Sequence, residues 1–94
     1  MGARRKIKVI YKKFGRERIW GQADEHVEID IRLIGKGVKH LEVLLHECLH
    51  VCFPYMNEEE VEKAGVLLAK TLWSEHYRRV DNSISKIKLQ DGKL

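Results

Sequence analysis

Residues 46 to 50 read HECLH and bring together side chains that can bind a metal and move a proton. The pattern is H-E-x-x-H, with Glu47 between His46 and His50. On a helix, residues i and i+4 lie one turn apart on the same face, so both imidazoles can reach one ion. Glu47 would lie beside that ion, where its carboxylate can take a proton from a metal-bound water. The spacing therefore predicts a metal site with Glu47 as the general base.

A catalytic zinc site needs a third protein ligand, with water in the fourth position. A short turn at Pro54 separates the motif from an acidic second helix, so the two helices are expected to run antiparallel. Counting outward from the turn places Glu62 opposite the two histidines as the third ligand, with Glu58 as the alternative. The carboxylate that does not bind the metal is expected to orient a histidine ring. One zinc ion per chain is predicted, because two imidazoles and a carboxylate suit zinc.

The periods of the apolar residues predict the helices that carry these groups. Residues 39 to 52 place apolar side chains three and four positions apart, as in an amphipathic helix. Asn57 precedes three glutamates and has Glu60 in the capping-box position, so a second helix is expected from there to about Tyr77 or Arg79. With strands before them, these helices predict an α+β fold, in which a short antiparallel sheet packs on an antiparallel helix hairpin.

Two stretches ahead of the helices have the alternating pattern of strands. Residues 6 to 11 alternate charged with β-branched or aromatic side chains, and residues 25 to 34 alternate apolar with polar ones. In the second stretch four apolar side chains are expected to share the buried face: Val27, Ile29, Ile31 and Leu33. The segment between the stretches contains two glycines and indicates a turn with a short irregular or extended piece. The second strand is predicted to be an edge along which a peptide could lie.

Length, charge and cysteine content narrow the class of protein. The chain of 94 residues suits one small domain, residues 1–94. No apolar run approaches the roughly 18 residues of a membrane span, and the first residues lack a signal-peptide core, so a cytoplasmic protein is expected. Cys48 and Cys52 lie four residues apart, which is poor disulfide geometry, and are expected to be reduced. The net charge of +4, concentrated in residues 4 to 18, leaves a nucleic-acid-binding protein as one alternative function.

Two segments of the chain carry a resemblance to a known group of enzymes. The run VEIDIRLIGKGVKHLEVLLHECLH, residues 27–50, resembles the core of the zincin metallopeptidases, in particular the ImmA/IrrE-type and SprT-like small peptidases. The run EKAGVLLAKTL, residues 62–72, resembles the glutamate-bearing second helix of the gluzincin type. The chain is also similar to zincin-like proteins encoded by bacteriophages. The resemblance extends over residues 25 to 74, a little over half of the chain.

The resemblance implies a minimal zincin-like fold and zinc-dependent hydrolysis of a peptide or protein substrate. His46, His50 and Glu62 would be the zinc ligands, and Glu47 would pass the proton from water to the leaving amine. An alternative within the same fold is a binding module with weak or no catalytic activity, in which the metal is structural.

Overall fold

The structure, a computed structural model, describes residues 6–15 and 19–80. It contains five main elements: strands β1 (Val9–Lys12), β2 (Gly21–Ala23) and β3 (Val27–Asp30), and helices α1 (Val38–Cys52) and α2 (Glu58–Ser74). The strands form one sheet, α1 packs on β2 and β3, and α2 packs on α1. This arrangement confirms the α+β class. Neither helix, within the described residues, has the length and apolar character that crossing a membrane requires.

The sheet is mixed, which differs from the antiparallel sheet that the sequence predicts. Its strand order is β1-β3-β2, with β1 parallel to β3 and β2 antiparallel to β3. The segment that reads as irregular supplies β2, a strand of only three residues. Because β1 and β2 occupy both sides of β3, the prediction that β3 is an edge strand was wrong. A strand pattern reports which face is buried and carries no information on which strand lies alongside.

The predicted strand at residues 25 to 34 is shorter than expected, because Asp30 ends it. The carboxylate of Asp30 is buried, and Oδ1 accepts hydrogen bonds from the backbone N and Nε of Arg32 at 2.9 Å. Oδ2 accepts from Arg32 Nη2 at 2.6 Å and from the backbone N of Phe14 at 3.3 Å. The bonds from Arg32 hold the pKa of the Asp30 carboxyl well below its usual range. The chain then enters a 3₁₀ turn, which leaves Ile31 47% exposed instead of buried.

The core lies between the sheet and α1. Val27, Ile29 and Leu33 are buried there, as the alternating pattern predicts, and α1 packs apolar side chains on them: Val43, Leu44, Cys48 and Val51. The most buried side chains of α1 are nevertheless polar, namely His40 and Glu47. They lie seven residues apart and therefore on one face, which is turned toward the sheet. Cys48 and Cys52 are both free thiols, as predicted.

The capping box predicted for α2 is present. Asn57 Oδ1 accepts a hydrogen bond from the backbone N of Glu60 at 2.8 Å, and Glu60 Oε1 accepts one from the backbone N of Asn57 at 3.1 Å. The box satisfies two backbone donors that would otherwise have no partner at the helix start. It fixes the first turn of α2 directly after the connecting loop, so that Glu58 is the first helical residue.

Helix α2 ends at Ser74, before the Tyr77 or Arg79 that the sequence predicts. His76 takes a left-handed conformation with φ of 72°. The backbone N of Tyr77 bonds to the carbonyl of Leu72 at 3.0 Å, and that of His76 bonds to the carbonyl of Trp73 at 2.9 Å. This pair of bonds is a Schellman motif, which usually has glycine or asparagine at the left-handed position. Histidine there gives no sequence signal, so the early stop could not be foreseen.

His40 joins α1 to the first strand. Its Nε2 lies 2.8 Å from the hydroxyl of Tyr11, which also accepts a hydrogen bond from Nη1 of Arg79 at 3.1 Å. The phenol hydroxyl therefore links the imidazole of His40 to the guanidinium of Arg79. Burial, reinforced by the charge of Arg79, lowers the pKa of His40. Protonation of His40 therefore opposes folding.

We expect the contribution of His40 to the free energy of unfolding of the metal-free protein to fall as the pH is lowered from 7 to 5. The folded pKa of His40 is lowered, so its contribution is full above the unfolded value of about 6.5 and is lost as the pH falls toward the folded value. Urea denaturation of wild type and His40→Gln with a chelator present measures this dependence. His40→Gln should make the free energy of unfolding less dependent on pH. His26→Gln, which changes a more exposed ring, should not have this effect. Parallel profiles for wild type and His40→Gln would contradict the assignment.

Candidate metal centre

Three side chains from the two helices converge at the end of the hairpin nearest the loop. Nε2 of His46 lies 3.2 Å from Nε2 of His50. The carboxylate of Glu58 contacts both rings, with Oε2 2.8 Å from Nε2 of His46 and Oε1 2.9 Å from Nε2 of His50. Ligands of a tetrahedral zinc ion lie roughly 3.3 Å apart, given bond lengths near 2 Å. The contacts of His46, His50 and the two oxygens of Glu58 are each slightly shorter than this, so a small outward rotation of the side chains would fit an ion.

Glu62 contacts the other nitrogen of His46. Its Oε1 lies 3.2 Å from Nδ1, one helical turn beyond Glu58 on the same face of α2. A carboxylate at Nδ1 fixes the ring orientation and leaves Nε2 to bind a metal, which is a common support for histidine ligands. The prediction of Glu62 as third ligand is not tested by a bound ion, but the geometry favours Glu58, the alternative. Glu62 occupies the supporting position expected of the other carboxylate.

The local structure explains why these groups meet. His46 and His50 lie one turn apart on α1 and face α2. The capping box begins α2 at Glu58, so this side chain projects from the first turn toward the end of α1. Farther along α2, Gly65 packs on His46, since a Cβ built on it would lie 3.5 Å from the His46 backbone. The close approach of the helices at Gly65 brings the first turn of α2 within reach of both imidazoles.

Glu47 lies on a different face of α1 from the two histidines and borders strand β2. Its side chain is largely buried. A Cβ built on Gly21 of β2 would lie 3.1 Å from Cγ of Glu47, so the strand and the glutamate side chain are tightly packed. Burial raises the pKa of the Glu47 carboxyl, and the nearby His46 and His50 partly offset this rise. A carboxylate with a raised pKa is a better proton acceptor than an exposed one.

The site is open to solvent on the side of α2. The side chains of Glu58 and Glu62 are 71% and 64% exposed, whereas those of His46 and His50 are 16% and 29% exposed. The imidazoles are therefore held by packing, and the carboxylates close over them from the surface.

Other glutamate and histidine side chains lie away from this cluster. Glu59 pairs with Lys63 on the surface, and Glu60 is used in the capping box. His76 lies beyond the far end of α2, and His26 is bonded to Glu28 at 3.0 Å. The structure brings none of these four side chains into the cluster of His46, His50 and Glu58.

The group formed by His46, His50 and Glu58 could hold a metal ion. Comparisons of the chain with protein-family models, curated proteins and solved structures found no match. Two imidazoles and one carboxylate are a donor set that suits zinc and leaves a coordination position for water. The fit is supported by the carboxylate of Glu62 at Nδ1 of His46, which would leave Nε2 to bind an ion.

Two glycines border the site, and alanine is expected to be tolerated at only one of them. At Gly65 an added Cβ would make ordinary contacts of 3.5 Å, so Gly65→Ala should stabilise α2 by up to about 1 kcal/mol through its higher helix propensity. At Gly21 the Cβ would lie 3.0 Å from Cγ1 of Val43 and 3.1 Å from the carbonyl O of Glu28, so Gly21→Ala should destabilise the protein by about 1–3 kcal/mol. Chemical denaturation of both variants provides the measurement. Equal effects of the two substitutions would contradict the close packing at Gly21.

Proposed function

We propose that this protein is a zinc-dependent metallopeptidase. In this proposal His46, His50 and Glu58 bind one zinc ion, Glu62 orients His46, and Glu47 is the general base. The observation that carries the proposal is the convergence of His46, His50 and Glu58 from two helices, with one possible ligand atom of each within 4.8 Å of the others. Both oxygens of Glu58 contact the imidazole nitrogens, and the largely buried Glu47 follows His46 in the chain. The H-E-x-x-H spacing and the resemblance to zincins point to the same chemistry.

The chemistry divides between the metal and the protein. When bound, zinc would supply a Lewis acid that polarises a peptide carbonyl and makes a water acidic near neutral pH. Glu47 would accept the proton of the attacking water and then deliver it to the leaving amine. Its raised pKa suits both steps, because the group must hold the proton between them. Strand β2 lies close to Cγ of Glu47 at Gly21, so the strand restricts the first part of this side chain.

The strand that could receive a peptide is β2. Among the described residues β2 pairs only with β3, through Gly21 and Ala23, so its other side is an edge. The sequence predicts this role for β3, but β3 is the central strand, so β2 takes the role in this proposal. A substrate backbone added along β2 would lie directly beside Glu47, because Gly21 contacts that side chain. Extended peptides or unfolded protein segments are therefore the substrate class that we propose.

The proposal is tested by measuring zinc content and hydrolysis in the same preparation. Protein purified without an affinity tag should contain one zinc ion per chain and cleave a fluorescent casein or an unfolded protein substrate. Chelation should abolish cleavage, and added zinc should restore it. His46→Ala should lose both zinc and activity, whereas His26→Ala, outside the cluster, should retain both. Cleavage that is unaffected by complete removal of metal would contradict the proposal.

A second candidate is a binding module in which the metal is structural. One observation favours it: the cluster joins α1 to the first turn of α2, so an ion there would tie the two helices together at the loop. In a protein of this size, a bound metal can provide a useful part of the folding free energy. This candidate predicts a large zinc-dependent rise in Tm with no cleavage of any substrate. Under it, Glu47→Gln would have no functional effect.

A further inference from the structure

A second concave site lies at the opposite end of the helix pair from the metal cluster. It is a cavity of about 580 Å³ between the start of α1, the end of α2 and the residues that follow α2. Its walls include Leu41 and Leu44 of α1, Trp73 of α2, and Tyr77, Arg78 and Arg79 beyond it. This volume falls within the roughly 300–1,000 Å³ of typical small-molecule sites, which are also mainly apolar.

The polar groups on the cavity wall form one cluster of positive character. The hydroxyl of Tyr11 bonds to His40 and accepts a hydrogen bond from Nη1 of Arg79 at 3.1 Å. The guanidinium of Arg79 also lies 4.9 Å from the centre of the Tyr11 ring. None of the residues that line the cavity in the described part of the chain is acidic.

Arg78 lies flat on the aromatic wall. Its Cζ is 3.5 Å from the centre of the Trp73 ring, and its Nη1 donates to the carbonyls of Trp73 and Tyr77 at 2.9 Å. Within residues 6–15 and 19–80, the hydrogen bonds of Arg78 and Arg79 use Nη1 alone. Nε and Nη2 of both side chains therefore have no hydrogen bond within these residues, and both arginines line the cavity. A guanidinium presents such donors in a planar fork that matches a carboxylate.

We propose that this cavity binds a small amphipathic carboxylate, an apolar or aromatic body with one anionic end. Leu41, Leu44 and Trp73 would contact the body, and Arg78 and Arg79 would bind the carboxylate. Charge complementarity fixes the sign of the ligand, because two cations and no carboxylate line the walls of the cavity in the described residues. The site is independent of the proposed metallopeptidase function, since it contains neither the metal cluster nor Glu47.

The test compares 4-phenylbutyrate with its neutral analogue 4-phenylbutan-1-ol on the full-length protein. In a Trp20→Phe background, Trp73 is the remaining tryptophan, so its fluorescence reports directly on the cavity. We expect a saturable change with the acid and at least tenfold weaker binding of the alcohol. Arg79→Gln and Arg78→Gln should each reduce that preference severalfold. Lys36→Gln, which removes an exposed cation that does not line the cavity, is the matched control and should leave it unchanged.

A cavity-filling variant separates binding here from binding elsewhere. Leu41→Phe keeps Trp73 as the one fluorescent reporter and should strongly weaken the response to the acid, and treatment of the unsubstituted cavity with a chelator should not alter the response. Equal affinity for acid and alcohol, or an undiminished preference in both arginine variants, would overturn the proposal. Absence of any saturable change in the full-length chain would also overturn it, whatever else fills the cavity. A protein that binds the acid but cleaves no peptide would contradict the proposed metallopeptidase function and would leave the proposal for this cavity intact.

Discussion

Replacing Glu47 with glutamine is expected to lower peptide hydrolysis by roughly 10²–10⁴-fold, the usual contribution of a general base. Glutamine has nearly the same shape, so it should fit the tight space between α1 and β2 next to Gly21. It cannot accept the proton of the attacking water. The zinc content should stay at one per chain, because Glu47 is not among the three converging donors. Steady-state kinetics and elemental analysis of the same preparation provide the measurement.

The matched control is Glu59→Gln, which removes a carboxylate of similar chemistry from the surface of α2. Glu59 pairs with Lys63 at 3.8 Å and is highly exposed, so activity and zinc content should both be unchanged. Because burial disfavours the ionised form of Glu47, Glu47→Gln should also be at least as stable as wild type. A Glu47→Gln protein that cleaves as fast as wild type would remove the catalytic role. Retained zinc without activity in wild type would favour the binding module.

Zinc affinity is expected to respond differently to the loss of Glu58 and of Glu62. Glu62 supports His46 through Nδ1, so Glu62→Ala should weaken zinc binding by roughly 10–100-fold, as is usual for such supporting groups. Glu58 contacts both imidazoles at the metal side, and Glu58→Ala removes a ligand, so its effect should be larger. Competition with a chromophoric chelator gives both affinities. The two residues have similar exposure and occupy neighbouring turns of one helix, so each variant is a control for the other.

The coordination itself provides a second readout. Cobalt substituted for zinc should show an altered visible absorption spectrum in Glu58→Ala, because one ligand is replaced. In Glu62→Ala the spectrum should keep its shape, since the same three atoms bind the ion. The reverse pattern would restore Glu62 as the third ligand, as counting along the sequence suggests. Binding of the ion by Glu62 would require α2 to rotate or slide along α1. This movement is larger than the small side-chain rotation that Glu58 needs.

The choice between these two glutamates illustrates what a helix pattern cannot decide. Glu58 and Glu62 are four residues apart and therefore lie on one face of α2. Which of them meets Nε2 depends on how far α2 is displaced along α1, and the packing of Gly65 on His46 sets that displacement. A count outward from the loop assumes straight helices and a symmetric turn. A shift of one turn, about 5.4 Å, exchanges the ligand for its support.

The order of the strands was also beyond the reach of the sequence. The alternation in residues 27 to 30 correctly indicated a strand with buried Val27 and Ile29. The pattern could not show that β2, three residues long, would cover one side of β3 while β1 covered the other. The ion pair of the buried Asp30 with the half-exposed Arg32 was equally hidden, because alternation places both side chains on the polar face of a strand.

The amino-acid sequence by itself determined the features that depend on neighbours within about four residues. These are the helix under H-E-x-x-H, the placement of His46 and His50 on one face, and the capping box that begins α2 at Glu58. Tertiary structure decided the features that depend on distant segments: the strand order, the position of Gly21 against Glu47, and the cavity closed by Arg78 and Arg79. The physical reason is that backbone hydrogen bonds and side-chain periodicity act locally, whereas the offset between packed elements is set by shape complementarity among residues far apart in the chain.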